Sequence, residues 1–112
     1  LDKQNAELDK QNAELDKQNK EKEIYVVYFE KITKKYQTIV LLTQEYNNHK
    51  NDSTWEKLRQ ELLENFAEIN KYKKEIEQKL IENESITLKK DYQELLANID
   101  EVLKIQQAQK LG

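Results

Sequence analysis

IYVVYFEKITKKYQTIVLLTQEY, residues 24 to 46, is apolar in two registers at once. Counted in sevens, Val26, Thr33 and Val40 occupy heptad position a, and Phe29, Tyr36 and Thr43 occupy d. A second series, Tyr25, Tyr28, Ile32, Ile39, Leu42 and Tyr46, lies one residue to the side, which is about 100° around a helix. The segment therefore predicts a helix with two buried faces. IYVVYF (24 to 29) and IVLL (39 to 42) are apolar on every side, the pattern of a helix surrounded by protein. IYVVYF is also β-branched and aromatic enough for a strand, but no turn residues bound it and no second strand candidate could pair with it.

Upstream, LDKQNAELDKQNAELDKQN (1 to 19) writes one seven-residue word nearly three times in the same register. Leu1, Leu8 and Leu15 fall at d, and Asn5, Asn12 and Asn19 fall at a. Leucine at d supports parallel dimers, and asparagine at a pairs with its counterpart across the seam, setting register and two-strandedness while giving up stability. With one large apolar residue per heptad, residues 1 to 22 predict a marginal stalk that needs an anchor downstream. Glu7 with Lys10 and Glu14 with Lys17 add about 0.2–0.5 kcal/mol per pair to the helix and supply no core.

Downstream, NNHKNDS (47 to 53) is the richest turn-forming cluster in the chain. Ser53 with Glu56 has the spacing of a capping box, and Trp55, Leu58, Leu62, Phe66, Ile69, Tyr72, Ile76 and Leu80 make one apolar face. ENES (82 to 85) interrupts that face. A third series then runs Leu88, Tyr92, Leu95, Leu96, Ile99, Val102, Leu103 and Ile105, fraying near Gln109. The chain has no proline and a single glycine, Gly112, so little in it would interrupt a helix. The fold expected is all-α: a long N-terminal coiled-coil helix running into an antiparallel up-down-up three-helix bundle over 23–112, with helices at 23–47, 54–82 and 86–110. The predicted oligomer seam is Leu1, Asn5, Leu8, Asn12, Leu15, Asn19, Val26, Phe29, Tyr36 and Val40. Short connections make the helices neighbours, and the second series of helix 1 would face the other two.

The chemistry on offer is sparse. His49 is the one histidine, with Glu45 a turn before it, whereas zinc sites take three or four ligands and di-iron bundles two Glu-x-x-His motifs. Without cysteine or a second histidine the usual nucleophile and base pairings cannot be assembled, so no enzyme, metal or cofactor is expected. Lysines cluster at Lys31, Lys34 and Lys35 and at Lys71, Lys73 and Lys74, near Tyr28, Tyr36 and Tyr72, a mix that can hold single-stranded nucleic acid. Acidic residues interleave, and nineteen basic against twenty-two acidic side chains leave a net charge of -3, so these are read as solvated faces and no nucleic acid is expected. The sequons Asn51-Asp52-Ser53 and Asn83-Glu84-Ser85 fall in the two predicted turns and are read as turn and cap residues.

The longest apolar run, six residues, is far short of the roughly 20 that span a bilayer, so no membrane insertion is expected. Opening on leucine without a signal-like n-region, the chain reads as a fragment or mature product. Its partners are expected to be a second copy of itself, in a parallel homodimer, and another protein. Trp55 is expected to plug the bundle end; were it exposed with Tyr46 or Phe66, those three would be the partner surface to examine first. The lysine- and asparagine-rich, cysteine-free, heptad-built composition is similar to that of helical surface proteins of AT-rich bacteria. The first expectation is a structural and oligomerisation module, a dimeric stalk presenting a helical bundle. The resemblance implies the alternative, a bacterial surface protein binding a host or partner protein through the bundle, and the absence of cysteine fits cell surface and cytoplasm alike.

Overall fold

The computed structural model describes residues 2–50 and 53–111, with side chains from Ala6 onward. Helix α1 runs Asp2–Asn48, α2 Trp55–Glu82 and α3 Ile86–Ala108. At about 1.5 Å per residue, the 47 residues of α1 account for nearly all of the molecule's 76 Å length.

Cross-links between the helices read off their directions. Along α1, Glu21, Tyr28 and Lys35 meet Asn83, Glu75 and Asn65 in turn, so α2 runs antiparallel to α1. Lys73 of α2 reaches Asp100 of α3 at 3.2 Å, and Tyr25 of α1 meets Tyr92 of α3 edge-on at 5.4 Å. The order is up, down, up, as expected.

One core fills the bundle. It takes Ile32, Ile39 and Tyr46 from α1; Leu62, Phe66, Ile69 and Ile76 from α2; and Leu88, Tyr92, Leu95, Ile99 and Val102 from α3. Tyr25, Tyr28 and Leu42, the rest of the second series of α1, pack against it half-buried. Every described side chain from Ala6 to Lys20 is exposed, and burial begins at Glu21, where the α2–α3 turn reaches α1.

The helix ends depart from expectation in two places. Ser53 and Glu56 do not bracket the start of α2: its N-cap is Thr54, which makes no side-chain capping bond. Thr54 sits at φ -77°, ψ -15°, already helical, whereas a capping side chain needs an extended backbone beneath it to fold over the first turn. At the other end α3 does not fray. Lys110 takes φ 57°, its N–H and that of Leu111 bond the carbonyls of Gln107 and Gln106, and Leu111 turns back into the core. This is a Schellman closure with lysine where glycine is usual.

The α2–α3 turn is built from the ENES break. Ser85, extended at φ -75°, ψ 121°, accepts a bond from Leu88 N–H and caps α3. Asn83 accepts from Ser85 N–H at 3.2 Å and donates to Glu21 at 3.4 Å. It is the one buried polar side chain among the described residues. An asparagine so engaged is a structural tie, and a glycan on its Nδ2 would crowd the bond that this nitrogen donates to Glu21. Asn51 and Asp52 of the other sequon lie outside the described residues.

Candidate functional site: the outer stripe of the first helix

The predicted seam occupies the side of α1 that its own bundle leaves open. Leu8 and Leu15 are each 55% exposed, Val26 47%, Phe29 45% and Tyr36 46%. Asn12 and Asn19 are exposed between them, whereas Leu1 and the side chain of Asn5 lie outside the described residues. Val40 departs from this pattern: it is half-buried, as is Thr43 after it. The cause is helical geometry. Seven residues fall about 20° short of two full turns, so a heptad stripe drifts around a straight helix by roughly 100° in five heptads. It starts on the side opposite the bundle and ends against it. Thr33 and Thr38 bond the carbonyls of Phe29 and Lys34 behind them, but the Thr43 hydroxyl is buried without a partner, a polar group at the point where stripe and core converge.

The two flanks of α1 differ. On one, Tyr28 donates to Glu75 at 3.0 Å and lies edge-on to Tyr72, Lys31 stands 5.9 Å above the Tyr72 ring, and Lys35 bonds Asn65 and pairs with Glu68. These contacts tie α1 to α2. On the other flank Phe29 touches Tyr25 at 6.2 Å and Tyr25 touches Tyr92, so the stripe borders α3 through an aromatic bridge. Burial raises the phenol pKa of Tyr25, Tyr28 and Tyr92. For Tyr25 the carboxylates of Asp91 and Glu94 add to it, for Tyr28 the bond to Glu75, and Tyr92 is pushed to about 12 with Glu21 contributing.

Tyr46, Trp55 and Phe66 do not form a surface. Tyr46 and Phe66 are in the core, and Trp55, half-buried, stacks on Tyr46 at 5.4 Å with 21° between the planes. They close the end of the bundle because the last turn of α1 and the first of α2 are joined by a short connection and face each other. The indole N–H is left buried without a bond.

The lysine clusters serve the fold as well as solubility: Lys31, Lys35 and Lys73 each reach a group on a neighbouring helix. His49 lies in the turn just past α1, its N–H on the Glu45 carbonyl. Among the described residues no group of three or more His, Cys, Asp or Glu is placed to hold a metal, and no helix is long and apolar enough to cross a membrane. A shallow cleft of about 280 Å³ lies between α1 and the α2–α3 turn, lined by Lys17, Glu21, Lys79 and Asn83 among others. What stands out is the stripe, which sequence periodicity located as far as Tyr36. The border with α3 carried no sequence signal, since it depends on which side of α1 each partner helix takes. Comparison with protein-family models, curated proteins and solved structures finds no match to this chain.

Proposed function

We propose that the chain is a non-enzymatic oligomerisation module in which two copies pair in parallel along the outer stripe of α1, forming a stalk that presents two helical bundles. The observation that carries this reading is the exposure of Leu8, Leu15, Val26, Phe29 and Tyr36 at heptad spacing on a helix whose other apolar series is already buried. The occupant is taken to be a second copy because of Asn12 and Asn19. In a parallel pair each asparagine meets its own counterpart and the two amides bond, whereas an antiparallel pair or an unrelated apolar helix sets them against hydrocarbon.

Replacing Val26 and Phe29 by lysine is expected to give a folded monomer with unchanged helicity. The same change at Ile32 and Ile39 removes core contacts and unfolds the bundle. Sedimentation equilibrium with circular dichroism distinguishes them; if both pairs unfold the protein, or neither alters its mass, the two-face reading fails.

A second reading has one observation of its own. Ile81 and Ile86, on either side of the α2–α3 turn, are 75% and 85% exposed, more than any other large apolar side chain described. A bundle that binds a different protein would offer this corner. Converting both to serine should then abolish that binding without altering self-association.

A further inference from the structure

Parallel pairing along the stripe, taken from the reading above, has a consequence that depends on α3. In a parallel pair of heptad helices, the g side chain of one copy lies beside the e side chain five residues on in the other. Position g of α1 runs Gln11, Gln18, Tyr25 and Ile32, and position e runs Asp9, Asp16, Glu23 and Glu30. Gln11 therefore meets Asp16, and Gln18 meets Glu23, each an amide beside a carboxylate. Tyr25 meets Glu30, and this pairing is different in kind. Tyr25 is held against Tyr92 of α3, close enough to Asp91 and Glu94 for both carboxylates to act on its phenol. Neither acid has an ion-pair partner among the described residues. On its own helix Glu30 has Lys34 one turn ahead and Lys31 next to it; Lys31 is turned toward Tyr72 on the α2 side.

We propose that a second copy of this chain seats its α1 in the groove between the stripe and α3, setting Glu30 of each copy against Asp91 and Glu94 of the other. By symmetry the contact occurs twice. Association is therefore restrained by like charge at the bundle and tightened by salt, the reverse of a coiled coil held by ion pairs across e and g.

Sedimentation equilibrium at neutral pH, between about 20 mM and about 0.5 M NaCl, tests this. The wild-type dimer should tighten several-fold as salt rises. Glu30→Lys should lower Kd by about tenfold at low salt and reverse the salt trend, since a cation then faces the two acids. Glu64→Lys, the same change of charge on the exposed face of α2, should shift Kd no more than about twofold. Asp91→Asn with Glu94→Gln should weaken the salt response, leaving the part that comes from Lys22 meeting its counterpart at d, while circular dichroism stays unchanged. If Glu30→Lys binds no tighter than Glu64→Lys, or the α3 double variant keeps the wild-type salt response, α3 does not border the partner and the proposal falls. A protein monomeric at every salt concentration, with Val26→Lys and Phe29→Lys without effect on mass, overturns the pairing itself.

Discussion

Individual side chains show where this small bundle spends and saves stability. Tyr92 is fully buried with its hydroxyl unbonded, so Tyr92→Phe removes an uncompensated polar group and should leave stability within about 1 kcal/mol of wild type or raise it. Its titration has a definite sign. An unfolded tyrosine loses its proton near pH 10, whereas Tyr92 holds its own to about 12. Stability from this source is intact below pH 10 and falls as pH rises from 10 to 12. Chemical denaturation at pH 9 and pH 12 should show that loss, and Tyr92→Phe should lose less. Asn83 and Ser85 act oppositely, each satisfying backbone or side-chain groups at a turn. Ser85→Ala should cost about 1 kcal/mol, and Asn83→Ala about 1–2 kcal/mol, both read from thermal unfolding.

At the scale of elements, each helix is decided by different features. α2 and α3 each carry one apolar face, and those faces, read at helical spacing, are the ones that enter the core. α1 carries two, and its length outruns its partners: α2, with 28 residues, reaches back along α1 only to Glu21. The repeats before that point add nothing to the core: every described side chain from Ala6 to Lys20 is exposed, and Glu14, Lys17 and Gln18 only rim the cleft beside the α2–α3 turn. Deleting one LDKQNAE repeat, which preserves the heptad register, should leave the melting temperature extrapolated to the monomer unchanged and reduce its rise with concentration, both read from differential scanning calorimetry over a concentration series. The end of α3 is suboptimal in one respect. Lys110 takes a left-handed conformation that costs a non-glycine residue roughly 1 kcal/mol, so Lys110→Gly should raise stability by a few tenths to 1 kcal/mol.

For the molecule as a whole, one core holds three helices, and its centre is concentrated in few side chains. Phe66 is fully buried, and Phe66→Ala should cost about 3–5 kcal/mol, a large share of the roughly 5–15 kcal/mol that stabilises a domain. In urea at 25 °C this variant should show little or no native baseline. The stripe on α1 is the counterpart outside the core: apolar, periodic and uncovered within one chain. In the proposed pair charge acts locally, through Glu30, Asp91 and Glu94 beside the stripe and Lys22 at one of its d positions.

Periodicity by itself determined the helices, their faces and the two registers of α1, because a 3.6-residue turn imposes spacing on any apolar face it must bury, wherever the partner lies. Turn composition located both connections. What only the tertiary structure decided depends on distant residues arriving at one place. Ser85 rather than Ser53 caps a helix because the backbone at Thr54 is already helical. Tyr46 and Phe66 are interior, and Trp55 stacks on the first of them, because two helix ends are folded together. Val40 leaves the stripe because a heptad line drifts around a straight helix until it meets the helix's own bundle. Which helix borders the open stripe is likewise a matter of handedness in three dimensions, and no spacing along one chain encodes it.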